Sequence, residues 1–202
     1  MITSNLLIKI APNSKKVADI VPDWFNKFSC DYEVTNPKRI AAFLSQTIVE
    51  SASFTATREF ASGAAYEGRR DLGNVFKGDG KKFKGRGYIM ITGRNNYASC
   101  SKALFGDDTL LKNPDLLAIP KYSMQSAMWF WKDRGLNEQA DKQFFYTISV
   151  RINGKNKDGL PNGWEARVNY YNLLCAEFGL PLYDIETKSV VMRNLASRVF
   201  EQ

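Results

Sequence analysis

The chain has 202 residues, 44% of them hydrophobic and 24% charged. That length and balance fit one globular domain, and exclude a disordered chain, a fibre or a miniature fold that needs staples. There is no histidine at all, which removes Ser-His-Asp triads, Cys-His pairs and His-ligated zinc from consideration.

Lysine and arginine number 28 against 21 acidic residues, leaving a formal charge of +7. An anionic partner is favoured: nucleic acid, a membrane surface or an acidic wall polymer. Cys30, Cys100 and Cys175 are odd in number and lack CxxC spacing, so they read as small buried hydrophobes made in a reducing compartment. No stretch reaches the ~18 apolar residues that span a bilayer. The first residues lack a basic n-region and Lys9 interrupts their apolar run, so accumulation in the cytoplasm is expected.

The first clear element opens at Thr35-Asn36-Pro37, a capping residue followed by proline at the first helical position. Ile40, Phe43, Leu44, Thr47 and Ile48 then repeat at helical spacing. Residues 62–84, rich in glycine and charge, read as loop. Tyr88, Ile89, Met90 and Ile91, between Gly87 and Gly93, read as a small strand. A helix is predicted from Pro120 through Trp131 to near Gly135, and another capped by Asn137 and running through Phe144, Phe145 and Ile148. Trp164, Val168, Tyr171, Cys175 and Phe178 step by fours and threes before Gly179 and Pro181. Val190, Val191, Leu195 and Val199 suggest a final helix. The fold class is mainly α with a minor β element.

Glu50 lies seven residues after Phe43, which turns it only ~20° from that ring about the helix axis. A carboxyl partly buried against an aromatic is disfavoured as the anion, which suits a general acid; a helix-end glutamate at the surface is the alternative. Glu59 follows nine residues later, ~13 Å away on a continuous helix. Paired carboxylates in glycosidases stand ~5–9.5 Å apart, so the helix must break, and Ser51-Ala52-Ser53-Phe54-Thr55 is a plausible breaking point. Arg58 would hold Glu59 ionised, as a base requires. The Gly78–Gly87 stretch lacks the Gly-Lys-Ser/Thr ending of a phosphate loop, and Asn156–Glu165 lacks the first carboxylate of a calcium loop. Trp129, Trp131, Phe144 and Phe145 read as core.

Several ordered motifs then carry a resemblance. Ala42-Phe43-Leu44-Ser45-Gln46-Thr47-Ile48-Val49-Glu50-Ser51 resembles the helix of glycoside hydrolase family 19 that ends in the catalytic acid. Gly85-Arg86-Gly87-Tyr88-Ile89-Met90-Ile91-Thr92-Gly93-Arg94-Asn95-Asn96-Tyr97 is similar to its central motif. Ile152-Asn153-Gly154 and Glu165-Ala166-Arg167 resemble later substrate-lining segments. Arg58 to Arg69, continuing through Asp71-Leu72-Gly73-Asn74, is more like the phage branch, endolysins that cut peptidoglycan.

The resemblance implies a lysozyme-like α+β domain with a cleft beside a small β element. Residues 1–202 would form one catalytic domain, with segments 1–35 and 185–202 peripheral. It implies Glu50 as general acid, Glu59 as general base and Thr92 as holder of the attacking water, with inversion at the anomeric carbon. Asn96, Tyr97, Asn153 and Arg167 match positions that line the saccharide cleft or support the acid. Glu67 remains a rival for the second carboxylate. Val49 stands where the family commonly has histidine, and Met90 where it has glutamine, so chitin is the less favoured substrate. The expectation is an endolysin acting on peptidoglycan glycan strands, without cofactor, metal or nucleic acid, as a monomer. It would wait in the host cytoplasm until the inner membrane is opened. A chitinase and a non-catalytic wall-binding module are the alternatives.

Overall fold

Asn36 starts the central helix by accepting the Arg39 N–H on its side-chain oxygen at 3.0 Å, and Pro37 follows with its φ preset for helix. In the computed structural model, which describes residues 1–184, this helix is the third. The first two are α1 (Ser4–Ile10) and α2 (Val21–Phe28), and the central one is α3 (Pro37–Glu50). Residues 40–48 of α3 are all buried. It is a core helix enclosed on every side rather than an amphipathic surface helix.

The chain continues through α4 (Asp79–Lys82), α5 (Arg94–Phe105), α6 (Thr109–Lys112), α7 (Pro120–Asp133), α8 (Leu136–Asp141), α9 (Phe145–Asn153) and α10 (Trp164–Glu177). α10 packs along α3, and α2 along α7. Phe43 meets Trp131 of α7 edge-on at 5.4 Å and Phe25 of α2 at 5.9 Å. Phe145 stacks on Tyr171 at 4.1 Å. Each fully buried aromatic of this kind contributes about 1.5–3 kcal/mol through area alone.

α3 does break where expected. Ala52, Ser53 and Phe54 all have positive φ, at 47°, 61° and 65°. Three consecutive left-handed residues with side chains cost about 1–2 kcal/mol each, and the surroundings offset this. Ser53 N–H bonds the Ile48 carbonyl at 2.7 Å and Ala56 N–H the Ser51 carbonyl at 2.9 Å. The Ser51 hydroxyl donates to Thr47 O and accepts from the Phe54 N–H. The Phe54 ring is buried against Tyr88, centroids 5.0 Å apart.

Several expectations change, among them the reading of Phe144 as core, since that residue is exposed. Segment 62–84 is not simply loop: it holds 3₁₀ turns at Ala64–Tyr66 and Arg70–Leu72 as well as α4. Residues 88–91 form no strand; among the described residues the β element is two isolated bridges, Arg58 to Arg86 and Arg86 to Ile91. Asn137 does not cap a long helix. It is buried inside α8, accepting from the Trp131 indole at 2.9 Å, and Gln143 at φ 54° separates α8 from α9. The first 35 residues are also less peripheral than expected, because Leu7, Ile10, Val21, Phe25 and Phe28 enter the core. Cys100 and Cys175 are buried thiols, whereas Cys30 is exposed. The helix expected around Val190–Val199 lies outside the described residues.

Candidate active site

Glu50 is the last residue of α3, delivered to the protein's rim by a helix otherwise enclosed in core. Its side chain is 12% exposed and pairs with Arg167 of α10, Nη2 to Oε1 at 2.5 Å; the guanidinium itself is 2% exposed. Asn153, at the end of α9, reaches the same oxygen at 3.4 Å. Arg167 is fixed from behind by Gln46 Oε1 at 2.5 Å and the Asn162 carbonyl at 2.9 Å. Gln46, one turn before Glu50, donates in turn to the Ser149 hydroxyl of α9. Three helices therefore set one carboxylate. The apolar surroundings expected for Glu50 give way to a charged and amide-lined pocket.

Glu59 follows the left-handed turn and the bridge at Arg58. Its N–H bonds Gly85 O at 2.9 Å, and its Oε2 accepts the Gly85 N–H at 3.0 Å. Oε1 accepts the Tyr66 hydroxyl at 2.9 Å. Gly85 leaves room for this approach: a Cβ there would lie 3.2 Å from Glu59 Oε2 and 3.3 Å from Met90 Cβ, so both side chains would have to shift by a few tenths of an ångström. Burial and donation to Glu59 push the Tyr66 phenol above its ordinary pKa, so it stays a donor. Arg58 does not hold Glu59, because its guanidinium turns to Asp115 at 3.3 Å. Each Glu59 oxygen keeps a lone pair free for water.

Thr92 donates its hydroxyl to Met90 O at 2.8 Å, leaving oxygen lone pairs to receive a hydrogen bond. Asn96, one turn into α5, donates to Thr92 O at 2.8 Å and meets Arg134 Nη2 at 3.5 Å. Arg151 of α9 donates to the Arg134 carbonyl at 3.2 Å. A polar line thus runs from Thr92 through Asn96 and Arg134 to α9, whose last residue, Asn153, meets Glu50.

A family model for glycoside hydrolase family 19, described as chitinase class I, matches residues 21–162. The chain belongs to glycoside hydrolase family 19. An endochitinase of Arabidopsis thaliana is 36% identical over 152 residues, 74% of this chain and 52% of that protein. A family 19 domain-containing protein of Haemophilus influenzae is 34% identical over 116 residues, 57% of this chain and 52% of that protein. The chain thus spans about half the length of the curated relatives it matches. Chitinase C of Streptomyces griseus has the same fold, with TM-score 0.66 and 17% identity over 90% of this chain and 78% of that one. A class IV chitinase of Zea mays gives TM-score 0.60 and 24% identity, covering 75% and 74%.

Within this family 19 domain, one residue expected to bind substrate is placed elsewhere. Tyr97 is wholly buried, its hydroxyl donating to Lys84 O at 2.7 Å and accepting from Arg86 at 2.9 Å, so it cannot touch a sugar. Arg167 is buried and meets Glu50, the second of the two roles its motif implied, lining the cleft or supporting the acid. Asn96 and Asn153 remain part-exposed on the polar line. Glu67, the rival carboxylate, is occupied by the N–H groups of Gly78 and Gly80 at 2.6 and 2.9 Å, which fits a loop clamp. Sequence reasoning missed Gln46, Tyr66 and Ser149. Gln46 stands one helical turn before Glu50, a spacing that could have found it; Tyr66 and Ser149 carry no such signal, and only the folded chain brings them there.

Proposed function

We propose that this domain hydrolyses the β-1,4 glycosidic bond of bacterial peptidoglycan as a phage-type endolysin. Glu50 gives its proton to the leaving oxygen as the bond from the anomeric carbon breaks. Glu59 takes a proton from a water whose oxygen bonds that carbon on the opposite face, and Thr92 accepts a hydrogen bond from the same water. Arg167 and Asn153 then stabilise the carboxylate left on Glu50. Solvent exchange returns both groups to their starting protonation. The single observation behind this reading is the division of labour between the carboxylates. Glu50 is fixed at the end of α3 by Arg167 and Asn153, and Glu59 is oriented by two neutral donors with lone pairs to spare for a water.

The phage assignment rests on the Arg58–Asn74 segment, and the peptidoglycan assignment on that segment and the +7 charge. A chitinase is the second reading, favoured by the printed names of the Arabidopsis, Streptomyces and Zea relatives. Purified protein incubated with peptidoglycan and with chitin oligomers, followed by borohydride reduction and mass spectrometry, separates the two. Reduced muramic acid is expected. Reduced glucosamine from peptidoglycan would reassign the bond, and turnover of chitin alone would favour the chitinase. A Glu50→Gln variant that folds and still lyses permeabilised cells at the parent rate would overturn the assignment of Glu50 as the acid. Residence in the host cytoplasm until the inner membrane opens, and the monomeric state, belong to the same proposal.

A further inference from the structure

Residues 62–84 carry six cations and three acids, and the structure uses up the acids. Asp71 pairs with Arg69, and Asp79 with Arg94. The Glu67 carboxylate accepts the N–H groups of Gly78 and Gly80. Among the cations, Lys84 donates to the carbonyls of Glu59 and Ala61. Arg70, Lys77, Lys81 and Lys82 remain, all exposed and without an ion-pair partner among the described residues. Four exposed cations therefore stand without an ion-pair partner on one short lobe, whose formal charge is +3.

This lobe is built rigidly onto the proposed base. Tyr66 donates to Glu59, and Asn74 ties Tyr66 O to the Arg94 N–H at 2.9 Å on each side. The Arg94 guanidinium lies 4.8 Å from both the Phe76 and Phe83 ring centroids. Gly80 closes so tightly on Glu67 that a Cβ would sit 2.5 Å from the Glu67 nitrogen. A flexible basic tail would raise affinity for any polyanion. A basic lobe tied to Glu59 instead keeps its charge attached to the proposed base, and attraction between exposed charges fades beyond a screening length of ~8–10 Å.

We infer that Arg70, Lys77, Lys81 and Lys82 form an anion-binding face that takes the carboxylates of the peptide stem carried by the glycan strand. The inference rests on the proposed peptidoglycan substrate and adds to it a specificity element: a neutral glycan such as chitin offers this face nothing to hold. Exposed Phe76, 62% accessible on the same lobe, gives the stem an apolar contact beside the cations.

The test reads binding rather than turnover. A Glu50→Gln protein, which digests nothing, is co-sedimented with intact sacculi and with sacculi stripped of stem carboxylates by carbodiimide-driven amidation, which leaves the cross-linked network whole. The same is done with Lys77→Gln, Lys81→Gln and Lys82→Gln combined on that background; all three side chains are exposed, and circular dichroism checks the fold. At low salt the triple variant is expected to bind intact sacculi about ten-fold more weakly, the sum of three modest rim charges. The difference should vanish at high salt and on stripped sacculi. Equal binding of parent and triple variant to intact sacculi overturns the inference. So does an equal loss on stripped sacculi, or a loss seen only on vesicles of anionic lipid. Hydrolysis by the Glu50-intact protein is assayed separately. Failure to cleave peptidoglycan with the stem-dependent binding preserved would sink the enzymatic reading and not this one.

Discussion

Arg167 of α10 and Glu50 of α3 meet at 2.5 Å with the guanidinium almost wholly enclosed. They lie 117 residues apart in sequence, so the reactive end of α3 is set by the packing of α10 along it. Arg167→Met keeps the volume and removes the charge, leaving Gln46 Oε1 and the Glu50 carboxylate without their main donor. Breaking one side of a buried pair costs about 3–5 kcal/mol. Urea unfolding should show a lower midpoint at unchanged slope; an unchanged midpoint would mean that the pair contributes nothing.

Tyr66 offers a cleaner separation of catalysis from folding. Tyr66→Phe removes one of the two donors that orient the Glu59 carboxylate. A hydrogen bond to a charged group is worth about 1.5–3 kcal/mol, so kcat should fall about ten-fold or more while KM stays within a factor of two. Because burial and the Glu59 contact raise the phenol's pKa, the native enzyme should show no loss from Tyr66 ionisation below about pH 10. Steady-state kinetics across alkaline pH checks both statements.

The candidate residues of this site could be named before folding was considered, and for a definite reason. Glu50, Glu59 and Thr92 sit in contiguous motifs, and the breaking of α3 follows from a Ser-rich run after an apolar stripe. Tyr97 misled because the motif that contains it is local, whereas burial is a property of the whole. Its ring packs on Phe83 at 5.2 Å, and its hydroxyl is shared by Arg86 and Lys84. Residues 88–91 look like strand by composition, yet the positive φ of Met90 folds them into a turn. Arg58 stands next to Glu59 in sequence but pairs with Asp115, 57 residues away. Long-range partners of this kind leave no periodic trace.

The buried role of Tyr97 has its own test. Tyr97→Phe deletes one acceptor and one donor, costing about 1–3 kcal/mol because Arg86 loses a buried partner. Thermal unfolding should record that loss while KM for any saccharide is unchanged. A raised KM at native stability would return Tyr97 to the substrate.

Acid stability should depend on Asp79. Donation from Arg94 holds its carboxyl below the ordinary carboxylate range, against the opposing effect of burial. The unfolded chain therefore binds the proton more readily. The contribution is complete above the unfolded value of about 3.9 and is lost as pH falls through the lower folded value. Asp79→Asn should destabilise at neutral pH by about 3 kcal/mol and flatten the fall in stability below about pH 4. Denaturant titrations at neutral and acid pH read both effects, and parallel curves for parent and variant would contradict them.

The opposed duties of Glu50 and Glu59 are tested most directly by proton NMR of the first sugar released from a β-linked peptidoglycan fragment, recorded before mutarotation. Water activated by Glu59 on the far face should yield the α-anomer first. A β-anomer appearing first would mean that a carboxylate or the sugar's own acetamido group attacks the ring before water does, and the assignment of Glu59 as the base that activates the displacing water would fall.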